Sequence, residues 1–551
     1  MKPAWLEKFW SSLSLTGLLL GTLFFAASLT PSLLPRTYIT QGALSGACFA
    51  AGYGIGTLLL WLWQYLELPK LHGRISHLVK ITAMAVSIII ALVFLWSASD
   101  GQNSVRLLMG LPPVESAHPF KVGLIALITF IILIALARIF QMIYRIASSN
   151  LNRYIPPRLS RFIGFVLAAI IFGTAINGVL FRSALHIADS SYREFDALIE
   201  AESQQPKDLL KSGSSASLLK WNELGRAGRE FVSVGPSQTD IATFTGKAAK
   251  EPLRVYVGLR SAKTPKDRAK LALNEMIRVG AFDRSVLVVA IPTGTGWVDE
   301  MAMGPLEYLH DGDVASVAIQ YSYLASWLSL LVEPGYGSET ATALFDVVYD
   351  YWTKLPKDQR PKLYLYGLSL GAMNSQQSSE LFQVLGDPYQ GALWSGPPFT
   401  SRLWRSITDS RNEGTPEWLP VFRDSSYARF TNQNNALKIP GSEWGPMRIV
   451  YLQYASDPIT FFNQRDFYRQ PDWMKEPRGP DVSPQLTWYP VVSMLQLALD
   501  LAMSTTTPIG HGHVYAPQHY IDGWVEVTDV SWPQAEIDRL KQLYIDQLPK
   551  P

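Results

Sequence analysis

Five long apolar runs fall within the first 181 residues of this 551-residue chain, at about 13–34, 42–66, 81–96, 122–139 and 162–181. Each approaches the roughly 20 residues that cross a hydrocarbon layer as a helix. Inside a bilayer the backbone must satisfy its own hydrogen bonds, so runs of this kind fold as helices and as little else. The third run is the shortest. Lys2 and Lys8 precede the first, as in a signal peptide. Its apolar stretch is long, however, Pro31 and Pro35 follow it, and a second run starts almost at once, so it reads as an uncleaved span.

The basic residues orient these spans. With a cytoplasmic N-terminus, the inside loops hold Lys2, Lys8, Lys70, Arg74, Lys80, Arg138, Arg145, Arg153, Arg158 and Arg161, against Arg36, Arg106 and Lys121 outside. Five spans place everything after Phe181 outside the cytoplasm, on a cell (inner) membrane. Gly42, Gly46, Gly52, Gly54 and Gly56 in the second run suit close helix packing. No series of intramembrane acids and bases suggests transport, and Asn177 fits a structural hydrogen bond. Two roles stay open for this region: an anchor, or a device that delivers lipid to the C-terminal domain.

Residues 182–202 read as a mixed amphipathic helix, and 204–217, with Pro206, Gly213 and a serine cluster, as a linker. The expected division is thus 1–181 transmembrane, 182–217 linker and juxtamembrane helix, and 218–551 catalytic. From about Leu218 short apolar runs alternate with helical stretches, the mark of a mostly parallel sheet. The strand candidates begin at Leu253, Ser285, Ala315, Leu363, Gly391 and Arg448. Their unbroken apolar character suits strands buried on both faces.

The fourth candidate runs straight into Gly367-Leu-Ser-Leu-Gly371, and a helix-compatible stretch follows. Strand, sharp turn carrying serine, then helix is the setting of a nucleophile elbow, with Ser369 at its apex. The plainer reading is a Gly/Ser turn. Two further features favour the catalytic one. After the second strand comes Pro292-Thr-Gly-Thr-Gly-Trp297, whose amides at Thr293 or Gly294 can join that of Leu370 in an oxyanion hole. After the last strand comes Asp457, and near the C-terminus Gly510-His-Gly-His513. The order Ser369, Asp457, His513 is that of this type of hydrolase. His511 is the alternative base, and Asp424 and Asp466 are reserve acids. Asp457-Pro458 is also an ordinary turn opening.

The charge of +2 and the lack of a basic run with interleaved aromatics argue against nucleic acid as a partner. Cys48 is the one cysteine, and no ligand set at metal spacing accompanies the two loop histidines. Thr-Gly-Thr-Gly is not a dinucleotide fingerprint. No cofactor or metal is expected.

Thr293-Gly-Thr-Gly-Trp-Val-Asp299, Gly312-Asp-Val-Ala-Ser-Val-Ala-Ile-Gln-Tyr-Ser-Tyr323, the elbow and Gly510-His-Gly-His513 together resemble the α/β-hydrolase family whose members carry a multi-span region before the catalytic domain. The resemblance covers essentially the whole chain. It implies Ser369 as nucleophile and His513 as base, and it says little about substrate.

Two apolar stretches, 321–331 and 488–503, fit core helices or a lid over an acyl pocket. The polar insertion 400–445 sits where a cap often lies, and its Arg402, Arg405 and Arg411 are solvated or meet a lipid phosphate. The sequence therefore describes an α/β-hydrolase fold behind an all-α domain of about five spans. Its expected activity is that of a membrane-anchored serine hydrolase, acting through an acyl-serine on a lipid or amphiphilic ester. An acyltransferase using the same intermediate, or a non-enzymatic lipid-binding scaffold, are the alternatives, and the lipid bilayer is the expected partner.

Overall fold

The structure is a computed structural model that describes residues 13–69, 73–174, 196, 204–324, 335–379 and 381–548. The chain forms two compact units, one of Met1–Leu185 with Phe462–Pro508, the other of His186–Phe461 with Ile509–Pro551. The expected juxtamembrane helix, Asn177 and most of the 321–331 stretch lie outside the described residues.

In the first unit the helices are α1 (Leu15–Ser28), α2 (Tyr38–Tyr65), α3 (Gly73–Leu108), α4 (Pro119–Leu151) and α5 (Pro157–Thr174). Four of them, α2 to α5, are long and apolar enough to cross a membrane. The first expected span is shorter than read: α1 has 14 residues, about 21 Å of helix against a hydrocarbon layer of about 30 Å. Pro31 and Pro35, which break regular helix, follow its end. The shortest apolar run, by contrast, lies inside the 36-residue α3. Outward-facing Leu, Ile, Phe and Trp side chains such as Ile89, Trp96 and Phe120 are exposed, an apolar surface that suits lipid contact.

Gly42, Gly46, Gly52 and Gly56 of α2 pack closely as their spacing suggested, whereas Gly54 faces open space. A Cβ on Gly46 would lie 2.5 Å from the Ala126 carbonyl oxygen of α4, and one on Gly52 2.7 Å from that of Leu20 in α1. Helix Val492–Ala502 belongs to this unit. Val492 packs with Ala27, Leu44 and Cys48. Asp500 accepts a hydrogen bond from the Leu33 amide at 3.0 Å and pairs with Arg36 at 3.5 Å, both side chains fully buried.

The second unit is built on seven parallel strands in the order β1-β3-β2-β4-β5-β7-β6. They are β1 (Leu253–Val257), β2 (Val286–Ile291), β3 (Val314–Ile319), β4 (Lys362–Leu368), β5 (Gly391–Ser395), β6 (Ala428–Thr431) and β7 (Arg448–Leu452). Six follow the apolar runs in the sequence. β6, Ala-Arg-Phe-Thr, escaped that reading because an edge strand of four residues with an arginine has no apolar run. Flanking helices include α6 (Pro265–Arg278), α7 (Glu300–Leu309), α8 (Tyr336–Trp352), α9 (Leu370–Ser378), α10 (Pro517–Thr528) and α11 (Gln534–Gln547).

The register decides where loops meet. Ile291 pairs with Gly367, Leu368 with Ser395, and Ser395 with Leu452. The carboxyl ends of β2, β4, β5 and β7 therefore finish level, and the loops leaving them converge on one edge, where parallel α/β sheets place their sites.

Candidate active site

Ser369 stands between β4 and α9 with φ 59° and ψ −125°, a conformation costly for any side-chain-bearing residue. Both motif glycines are required by close backbone. A Cβ on Gly367 would come within 2.4 Å of the Gly371 backbone, and one on Gly371 within 2.1 Å of the Ile291 carbonyl oxygen. The second contact seats the first turn of α9 against the end of β2. The Ser369 amide donates to the Ser395 carbonyl at 2.9 Å, tying the turn to β5. Ser369 is 5% exposed.

Leu370 opens α9, so its amide is one of those the helix itself leaves without an acceptor. The glycine-rich loop after β2 folds back on itself. Thr293 N–H donates to the Trp297 carbonyl and Gly296 N–H to the Thr293 carbonyl, each at 2.9 Å. The Thr293 amide, an expected oxyanion donor, is thus engaged within the loop. Tyr256 O–H donates to the Gly296 carbonyl at 2.6 Å and holds the loop to β1.

Asp457 is fully buried beyond β7. Its Oδ1 accepts from the Ile459 amide at 2.9 Å. Its Oδ2 lies 2.7 Å from His513 Nδ1 and accepts from Tyr515 O–H at 2.7 Å. Against a carboxylate, Nδ1 carries the proton and donates, which leaves Nε2 as the acceptor nitrogen. Nε2 is buried and has no hydrogen-bond partner among the described residues.

The histidine loop is shaped by Gly510 and Gly512, with φ of 91° and 56°. Gly512 N–H donates to Ser456 Oγ at 2.8 Å, which anchors the loop beside Asp457. Gly396, the residue after β5, shows where the imidazole lies: a Cβ there would meet His513 Cε1 at 2.7 Å. Because Ser395 receives the Ser369 amide, the imidazole edge stands one strand over from the elbow.

The carboxylate contact goes to His513. His511 instead forms a small bridge with Val514. Asp424 bonds Ser426, and Asp466 caps the turn Gln464–Phe467. Of the insertion's arginines, Arg405 donates to the Phe399 carbonyl and Arg411 to those of Thr408 and Thr415. No group of three metal-ligating side chains occurs among the described residues.

Tyr515 was not read from the sequence, although it follows His513 by two residues. Burial and the Asp457 carboxylate push its pKa well above the ordinary tyrosine value, so it stays a donor. It meets the imidazole edge-on, with ring centroids 5.8 Å apart, and shares the Asp457 oxygen with it, the place of a positioning residue. Tyr515→Phe is expected to lower turnover at least tenfold, from roughly 1.5 kcal/mol or more of lost hydrogen bond to a charged group. KM should hold, and the acid limb of the pH–rate profile should move. An unchanged pH profile alongside a fall in thermal stability would reduce Tyr515 to packing.

Behind it, Tyr454 stacks on Tyr515 with ring centroids 4.4 Å apart, and its hydroxyl lies 2.6 Å from His519 Nδ1. Burial pushes the pKa of His519 down to about 4. A histidine depressed on folding contributes stability that is complete above its unfolded pKa of about 6.5 and lost as pH falls toward 4. Asp299, pushed up to about 7 by burial, acts with the opposite sign. The difference between wild type and His519→Gln isolates the histidine: wild type should lose roughly 3 kcal/mol more between pH 7 and pH 4. Parallel pH slopes in denaturant melts would refute this.

A family model described as an alpha/beta-hydrolase family matches residues 253–540, and one described as the N-terminus of that family matches residues 29–236. Neither the curated proteins nor the solved structures provide a match.

Proposed function

Because the chain belongs to the alpha/beta-hydrolase family, we propose that it is a membrane-anchored serine hydrolase working through an acyl-Ser369 intermediate on an ester. The observation that carries this reading is the strained Ser369 at the sheet edge where a buried, Asp457-bound His513 presents an unpartnered Nε2. In the proposed reaction Nε2 takes the Ser369 proton as Oγ attacks the ester carbonyl. The Leu370 amide stabilises the oxyanion, together with a donor from the loop 292–297. The imidazolium then protonates the leaving alkoxide, and water repeats the sequence to release the acid. Asp457 holds the tautomer and balances the imidazolium charge. Transfer to an alcohol in place of water uses the same groups.

An amphiphilic or lipid ester is the substrate class we favour, because the catalytic unit is continuous with four helices fit to cross a bilayer. The orientation follows from the short loops. In sequence Lys70 falls between α2 and α3, Arg74 is the second residue of α3, and Arg153, Arg158 and Arg161 lie between or beside the ends of α4 and α5. Placing both loops in the cytoplasm puts the chain beyond α5 outside it, whether or not α1 crosses.

The test is labelling of detergent-purified protein by a fluorophosphonate, followed by nitrophenyl esters of increasing chain length. Wild type and His511→Ala should label, and His513→Ala should not. A folded wild type inert to both reagents would point to a lipid-binding scaffold.

A further inference from the structure

The motif Thr293–Asp299 ends on a residue that the proposed reaction leaves unused. Asp299 is 4% exposed and caps α7, its Oδ1 accepting from the Met301 amide at 3.0 Å. Capping alone does not call for a carboxylate here, because serine caps a helix about as well and brings no charge into the interior. Among the described residues no ion pair offsets that charge, and burial pushes the carboxyl up to about 7. The second oxygen has a different partner. Oδ2 accepts from Tyr520 O–H at 3.0 Å, and Tyr520 is fully buried in α10.

That hydrogen bond joins the two loops on which the chemistry depends. On one side, Asp299 stands two residues beyond Trp297, whose carbonyl receives the Thr293 amide and so closes the glycine-rich loop. On the other side, α10 starts four residues after His513, and its cap residue Ala516 donates its amide to the Tyr454 hydroxyl at 3.0 Å. Tyr520 lies one turn into that helix. Its ring is 6.2 Å from that of Tyr515, which shares Asp457 with the imidazole. It is 6.3 Å from that of Tyr366, a β4 residue three positions before Ser369. The end of the glycine-rich loop, the strand that leads to the elbow and the helix behind the histidine thus converge on one buried hydroxyl. A second hydrogen bond joins α7 and α10, from Trp524 Nε1 to the Ala302 carbonyl at 2.8 Å. It lies about one turn further from the loops on both helices and serves as a control.

We propose that Asp299 and Tyr520 are positioning residues that hold the glycine-rich loop and the histidine loop in one fixed relation, so that an oxyanion donor and the imidazole address the same ester carbonyl. Neither is given a proton to move. Donors that are already in place when charge develops need no rearrangement in the transition state, and the tie is what keeps them in place. The inference rests on the serine-hydrolase reading and deepens it.

The full chain, purified in detergent, is compared with its variants in nitrophenyl ester hydrolysis and in the rate of fluorophosphonate labelling. Tyr520→Phe removes the hydroxyl and keeps the ring. Asp299→Ser keeps the cap and loses the reach to Tyr520. Each should lower kcat about 10- to 100-fold, the effect of a small misplacement in a site, with KM unchanged and labelling slowed in proportion. The double variant should be no slower than the slower single one, because the two changes remove the same interaction. Asp299→Asn keeps an oxygen for the cap and offers Tyr520 a donor, and it should recover most of the rate. Trp524→Phe should lower thermal stability and leave kcat as in wild type. Single losses that multiply in the double variant would overturn the proposal. Equal loss of kcat in Trp524→Phe and Tyr520→Phe would reduce the pair to packing. Hydrolysis that survives Ser369→Ala would overturn the serine-hydrolase reading and the positioning role with it. A wild type that labels at Ser369, beside a Tyr520→Phe variant of unchanged kcat, would overturn the positioning role alone.

Discussion

Ser369→Ala is expected to abolish fluorophosphonate labelling and to lower ester hydrolysis by about 10⁴- to 10⁶-fold, the loss seen when a nucleophile that acts as one unit with its base is removed. The fold should survive, because the Ser369 hydrogen bond to Ser395 is made by the backbone amide. A companion variant separates chemistry from strain. At φ 59° and ψ −125° alanine inherits the backbone cost that serine bears, whereas glycine escapes it. Ser369→Gly should thus be as inactive as Ser369→Ala and more stable by about 1 kcal/mol. Retained hydrolysis in either variant would remove Ser369 from the mechanism. Equal stability of the two would mean that the turn carries no strain.

The second large effect concerns a residue remote from catalysis. Arg254 lies in β1, 7% exposed among apolar neighbours. It grips Glu307 with two hydrogen bonds of 2.7 Å and Glu300 with two of 2.6 and 2.9 Å, and it donates to the Phe231 carbonyl. Burial alone would lower its pKa, but the two carboxylates outweigh that and raise it well above the ordinary arginine value. The cluster fastens edge strand β1 to α7, which comes directly after the glycine-rich loop. Arg254→Ala leaves buried Glu307 without its counter-ion and should cost about 3–5 kcal/mol. In a unit of this size that is a fall of about 5–7 °C in Tm. Arg254→Lys should recover only part, because an ammonium cannot serve both carboxylates in the planar fork. A shift below about 2 °C for the alanine variant would show that water reaches Glu307 and replaces the arginine.

This cluster also marks a limit of reading the chain in one dimension. Leu253 to Val257 was recognisable as a strand, but nothing in it announced that the arginine points at two glutamates 46 and 53 residues ahead. Tyr515 was hidden in the same way, since its role exists only once β7 brings Asp457 to the loop after Gly510. The short β6 lacked an apolar run, and α1 was over-read because hydropathy continued past the point where its helix ends.

Other features were local and therefore visible. The parallel α/β class followed from unbroken apolar strands alternating with helices. The elbow followed from two glycines whose absent Cβ atoms leave room for the backbone of α9 and β2. The close packing of α2 was written in glycine spacing. These depend on residues near one another in sequence, where periodicity and sterics act directly. Tertiary structure alone decided which histidine meets Asp457, that the Thr293 amide is turned to Trp297, and that residues 462–508 leave the sheet to pack with the N-terminal helices. Each of those outcomes is a pairing between distant segments. It depends on strand register and on where buried polar groups find partners, and no local pattern encodes either.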